Sequence, residues 1–218
     1  AWLPDAKMPR SDGEPPLPHA ARLAQAYDRV AHTWPERMLA LGYLAAYRGF
    51  VAAAGPVQAE NVLDAGCGAG DFAAAWRAER GAGAALTLLD PSPAMLARAA
   101  KRLGGPGTYA IRGDLDGLRG LGPQDVILCA HVIEHLADPG AGLAAMGRVL
   151  APGGRILLIV SKPHWCNRLI WLRWRHRSLA PPEVRRMIAA AGLCCRAEHT
   201  FATGPPSRTS LGYVATRR

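Results

Sequence analysis

The stretch VLDAGCGAGDF at residues 62–72 restricts what this chain can fold into more than any other. A short apolar run leads into Gly66, Gly68 and Gly70, and a helix-compatible segment, DFAAAWRAER (71–80), follows at once. Strand, glycine turn and helix in that order open a crossover unit, because the glycines let the chain reverse sharply. They also let a ligand approach the backbone within contact distance, at a helix N-terminus whose free N–H groups face it. A dinucleotide fingerprint would read G-x-G-x-x-G; here the spacing is G-x-G-x-G, preceded by Asp64. A carboxylate at a strand tip repels a pyrophosphate and suits a ligand that carries a cation.

The same alternation continues. ALTLLD (85–90) predicts a strand and SPAMLARAAKRL (92–103) a helix, with Ser92 as N-cap and Pro93 in its first turn. A weak strand near 108–112, a strong one at 125–130, a helix at 139–150 and a strand at 155–160 come next. A basic, Trp-rich stretch is followed by helix 182–191 and strands 193–201 and 210–216. Strands separated by single helices imply a parallel, doubly wound sheet covered on both faces. Ahead of it, apolar residues at helical spacing (Leu23, Ala26, Tyr27, Val30, then Met38 to Tyr47) predict two amphipathic helices broken near Pro35. Five prolines and Gly13 within residues 1–18 predict a flexible leader. The expected organisation is that leader, then one domain over 19–218 with a helical cap at 17–54.

Composition narrows the class. The longest apolar runs, such as RILLIV (155–160), are far too short to cross a bilayer, and no signal-peptide pattern is seen. The cysteines at 67, 129, 166, 194 and 195 fit no disulfide framework. They predict reduced thiols and a cytoplasmic location. Charge is unevenly placed: residues 1–161 hold 15 Lys/Arg against 15 Asp/Glu, whereas 162–218 hold 11 against 2, which is the whole net +9. That skew fits an anionic substrate or partner, or an Arg-rich solvated face.

Ligands of doubly wound sheets sit beyond the carboxyl ends of the strands, and the remaining acids fall there. Asp90 ends the second strand, 20 residues after Gly70, where a carboxylate can accept both hydroxyls of a ribose. Asp114, in RGDLDGL (112–118), stands at the third tip as an acceptor for an adenine amine. With DVILCAHVIEHLADP (125–139) and MGRVLAPGGRILLIV (146–160), these features resemble the class I S-adenosylmethionine (SAM)-dependent methyltransferases of the small-molecule type. The resemblance runs from about 61 to 161. It implies a Rossmann-like, seven-stranded sheet whose last strand is antiparallel and inserted beside the fifth. It also implies SAM as cofactor and a small-molecule methyl acceptor that is anionic, aromatic or lipid-like. On the cofactor side it places Asp64, Gly66, Gly68, Gly70, Asp90, Pro91, Asp114, Leu115, Ala130 and His131. Tyr27, within an early Tyr-Asp pair, would close over SAM.

HVIEH (131–135) taken alone has the H-x-x-E-H spacing of inverted zinc peptidases. That chemistry needs a helix, and His131 falls at a strand tip, in a strand-to-helix loop, with neither Glu183 nor Glu198 suited as a remote third ligand. Ubiquinone-pathway O-methyltransferases carry a similar Glu-x-x-Glu-His that binds a divalent cation. The metal-assisted alternative would therefore use His131, Glu134 and His135, against a preferred reading without metal. Where the acceptor must lose a proton, histidine has the most suitable pKa; His131 is the first candidate base, then His164 and His176. Residues 161–181 depart most from the common core. Trp165, Arg168, Trp171, Arg173, Trp174 and Arg175 predict a lid over the acceptor mouth. An inward-packed cap helix ranks second, a membrane-interface helix over 164–177 third, and RNA contact last, so nucleic acid is not the expected partner. A SAM-binding protein without methyl transfer is the further alternative, disfavoured by the intact cofactor motifs.

Overall fold

The computed structural model describes residues 19–165 and 177–217. Strands β1 (Asn61–Ala65), β2 (Ala85–Asp90), β3 (Thr108–Arg112), β4 (Gln124–Ala130), β5 (Leu150–Ser161), β6 (Leu193–His199) and β7 (Ser210–Arg217) form one sheet. Its order is β3-β2-β1-β4-β5-β7-β6. The first five are parallel, and β7 runs antiparallel between β5 and β6. The strand alternation that the apolar runs predicted is therefore present, with the last strand inserted as expected.

Alternation along the central strands feeds two cores. Leu63, Ile127, Ile156 and Leu158 face one side, against helices α6 (Pro139–Val149) and α7 (Pro181–Ala190). Val62, Val126, Leu128, Leu157 and Ile159 face the other, against α3 (Tyr43–Ala53), α4 (Asp71–Arg80) and α5 (Pro93–Leu103). Because both faces are covered, these strands read as continuous apolar runs. The predicted Ser92 cap is present: its Oγ accepts from Met95 N–H at 3.1 Å.

Three details differ from the sequence reading. The region before the sheet holds three helices, not two: α1 (His19–Val30), α2 (Trp34–Ala40) and α3. Gly42, at φ +79°, lets the chain turn between α2 and α3. β5 begins at Leu150, ahead of Pro152-Gly153-Gly154, with a register shift against β4. A short helix, α8 (Gly204–Thr209), lies between the last two predicted strands, where no element was predicted; its two prolines stand in the first turn, where no N–H is needed. Among the described residues no helix is long and apolar enough to cross a membrane. Cys67, Cys129, Cys194 and Cys195 are free thiols. The predicted leader lies outside the described residues.

Candidate functional site

The glycine loop is tied to the tip of β2. Gly66 and Cys67 donate their N–H groups to Leu89 O at 2.8 and 2.9 Å, and Gly68 N–H donates to Asp90 Oδ2 at 2.8 Å. Gly66, at φ +74°, also has no room for a side chain, since a Cβ would stand 2.3 Å from Val132 Cγ2. At Gly68 a Cβ would meet nothing within 4 Å, so this stretch of backbone is open to a ligand. Asp90 is buried, and its Oδ1 accepts from Ser92 N–H at 2.8 Å. Burial raises its carboxyl, as does the charge of Asp28, against the lowering effect of the two amides. Each oxygen keeps a second acceptor site.

Asp64 lies on β1, one residue short of its end, and is buried. Its Oδ2 accepts from Ala73 N–H at 3.0 Å in the first turn of α4, and no salt bridge among the described residues reaches it. Burial, with the charges of Asp90 and Asp71, raises its carboxyl to about 8 although the Ala73 bond opposes this. Asp114 is exposed two residues beyond β3, where Oδ1 accepts from Asp116 N–H and caps a short 3₁₀ turn, Leu115–Gly120. Leu115 is buried beneath it; Pro91 and Ala130 are half-buried at the tips of β2 and β4.

Helix α1 roofs this end. Asp28 Oδ1 accepts from Ser92 Oγ–H at 2.5 Å and from Ala94 N–H at 3.2 Å, which fastens α1 to the start of α5. Its neighbour Tyr27 places its hydroxyl 3.3 Å from His135 Nε2. Burial raises the Tyr27 phenol, and so do the charges of Glu134 and Asp90, the acids at the tips of β4 and β2. Asp28 was not singled out in the sequence; its place beside Tyr27 was the only hint.

At the tip of β4 the chain turns through His131, whose φ of +57° is the only left-handed non-glycine backbone among the described residues. Such a backbone costs about 1–2 kcal/mol in an ordinary residue. Its Nδ1 lies 3.1 Å from Glu134 Oε1 and 3.2 Å from Ser161 Oγ, and its Nε2 lies 3.5 Å from Ser210 Oγ. Tyr43 presents its ring edge-on to the imidazole, with centroids 5.6 Å apart, and its hydroxyl is 3.2 Å from Thr209 Oγ1. Burial pushes the Glu134 carboxyl up, but the His131 bond and the charges of His131 and His135 outweigh it and hold the group at about 2. Glu134 was read from sequence only as a loop or metal residue. Its link to His131, and the parts of Ser161, Ser210 and Tyr43, were missed because four distant segments supply them.

Residues 131–135 form a loop with a single 3₁₀ turn, as expected. No three His, Cys, Asp or Glu side chains among the described residues are grouped to hold a metal ion. His164 follows β5 with its ring 5.7 Å from that of Trp165, which is 68% exposed. Arg168, Trp171, Arg173, Trp174, Arg175 and His176 lie outside the described residues. The flanks of that segment meet at Glu134: its Oε1 accepts from Ser161 N–H at 2.9 Å and its backbone oxygen from Arg177 N–H at 3.1 Å.

Sheet order, glycine loop and strand-tip acids together define a class I SAM-dependent methyltransferase fold. Residues 63–156 match the methyltransferase domain family. The ubiquinone biosynthesis O-methyltransferase of Caulobacter vibrioides is 36% identical over 198 residues, spanning 76% of this chain and 74% of that protein. The trans-aconitate 2-methyltransferase of Methylobacterium nodulans is 35% identical over 131 residues, 60% of this chain but only 49% of that protein. The 1,6-didemethyltoxoflavin-N1-methyltransferase of Burkholderia thailandensis, solved with S-adenosylhomocysteine, superimposes with a TM-score of 0.70 at 20% identity, over 95% of this chain and 93% of that one. The chain belongs to the SAM-dependent methyltransferases, and SAM is its cofactor.

The residues present fit that group. Gly68 offers bare backbone, Asp90 has acceptor sites for a ribose, and Asp64 is a buried acid without a cation beside it. SAM carries positive charge, and bound over this strand tip it would favour the ionised form of Asp64. Below about pH 8 the free protein holds Asp64 protonated, so binding should release a proton. SAM affinity is then expected to rise up to about tenfold per pH unit between about pH 6 and 8. Calorimetry in buffers of different ionisation enthalpy checks this; a dissociation constant flat over that range, or a slope that survives Asp64→Asn, would contradict it.

Proposed function

We propose that this chain methylates a phenolic hydroxyl on an anionic small molecule, with His131 as proton acceptor. The observation that carries this is the pairing of His131 with buried Glu134 at the tip of β4, beside the glycine loop. When bound, SAM supplies an electrophilic methyl group on a sulfonium centre. Asp64, Gly66, Gly68, Gly70, Asp90, Pro91, Asp114, Leu115 and Ala130 would hold it, with Tyr27 over it. For an attacking hydroxyl, the protein has to orient the oxygen, keep water out and accept its proton. Tyr43 presents a buried ring to His131, and Tyr27 a half-buried ring to His135.

Two observations favour an anionic acceptor. All of the net positive charge lies after residue 161, and the trans-aconitate enzyme among the relatives is named for a carboxylic acid. The predicted lid residues, including Arg168, Arg173 and Arg175, would add to that attraction. The test is a mass scan of small molecules from cell extract after incubation with protein and methyl-labelled SAM. The expected product is an anion that has gained one labelled methyl on oxygen. Label on nitrogen or carbon would overturn the hydroxyl assignment, and SAM binding with no labelled product would favour a binding protein.

A further inference from the structure

Glu134 is buried, yet its carboxylate is only half satisfied. Oε1 accepts from Ser161 N–H and lies 3.1 Å from His131 Nδ1, while Oε2 is buried with no hydrogen-bond partner. Burying an acid with an unpaired oxygen is costly, and Ser161 N–H alone asks for an acceptor, not for a charge. We propose that Glu134 is the positioning residue for His131: its carboxylate takes the Nδ1–H and leaves Nε2 as the atom that receives the acceptor's proton. This rests on the reading of His131 as proton acceptor.

A neutral imidazole carries hydrogen on one nitrogen only. An ionised carboxylate can only accept, so a bond between Glu134 Oε1 and Nδ1 requires hydrogen on Nδ1. Nε2 then keeps its lone pair, and its protein neighbour, Ser210 Oγ, is at a long 3.5 Å. The local backbone supports the pairing. His131 N–H donates to Ile159 O at 2.8 Å and His135 N–H to Val132 O at 3.0 Å, while the left-handed φ of His131 turns the chain so that Glu134 comes back to the ring. Two N–H donors on Oε1, from Ser161 and from Nδ1, favour the ionised carboxylate. In the reaction the acceptor's O–H bond breaks and an Nε2–H bond forms. The resulting imidazolium stands against the Glu134 carboxylate, and its proton then passes to water, which restores the neutral ring.

The test is nitrogen NMR of protein labelled in its histidine rings, saturated with S-adenosylhomocysteine, with His131→Asn used to assign the signals. In the wild type the neutral His131 ring should favour the Nδ1–H form by about tenfold or more, the bias expected of one hydrogen bond to a charged group. Glu134→Gln should let the Nε2–H form appear as a major species, whereas Ser161→Ala should leave the wild-type form in place. A wild type dominated by Nε2–H, an unchanged form in Glu134→Gln, or a switch in Ser161→Ala would overturn the proposal. The wild-type spectrum alone is decisive if Glu134→Gln does not fold. A form that follows Glu134, with methyl transfer undiminished in His131→Asn, overturns the proton-acceptor reading. A form indifferent to Glu134, with transfer lost in His131→Asn, overturns the positioning alone.

Discussion

Replacing Asp90 with Ala is expected to weaken SAM binding about a hundredfold or more while the sheet stays folded. Both carboxylate oxygens are engaged at the tip of β2, one on Ser92 N–H and one on Gly68 N–H. The side chain holds the middle of the glycine loop in place and, in the proposed cofactor site, would also supply the ribose acceptor. A hydrogen bond to a charged group is worth about 1.5–3 kcal/mol, so losing two costs about 3 kcal/mol at the low end, or about a hundredfold in affinity. The fold should tolerate the change. Burial raises the Asp90 carboxyl, so at neutral pH its ionised form costs the folded state stability, and removing it lifts that cost. Asp90→Asn, which keeps an acceptor but no charge, should fall between wild type and Asp90→Ala. Titration calorimetry with SAM reads all three proteins. A loss below about tenfold in Asp90→Ala would remove Asp90 from the cofactor side.

The cofactor half was legible because each piece is local. A strand, its glycine turn and the next helix stand within 62–80, and each strand-tip acid follows its own apolar run, so no long-range pairing has to be guessed. The cluster around His131 was not legible, for a physical reason. His131, Ser161, Ser210 and Tyr43 meet only because β5 lies beside β4 and the antiparallel β7 beside β5, and α3 crosses the same end. Glu134 could be read as a loop or metal residue until its burial and its bond to Nδ1 were known. The N-terminal cap failed differently. Leu39 and Leu41 fit an apolar stripe, yet they are 66% and 41% exposed, because α2 stops at Ala40 and Gly42 turns the chain away. A stripe count cannot see a helix end that a single left-handed glycine imposes.

The second large effect is expected at His131, at the turn that follows β4. Asn in its place keeps a polar side chain and tolerates the left-handed backbone better than most residues, so loss of the turn is not the expected consequence. It removes the only ring nitrogen that the Glu134 pairing leaves with a lone pair. General-base catalysis contributes about a hundredfold to ten-thousandfold in rate. The direct measurement is single-turnover methyl transfer by wild type and His131→Asn, with SAM saturating and the acceptor identified by the product scan. The expected result is a drop in the transfer rate within that range, with the SAM dissociation constant unchanged. A rate in His131→Asn within a few-fold of wild type, at equal occupancy of both ligands, would contradict His131 as the proton acceptor.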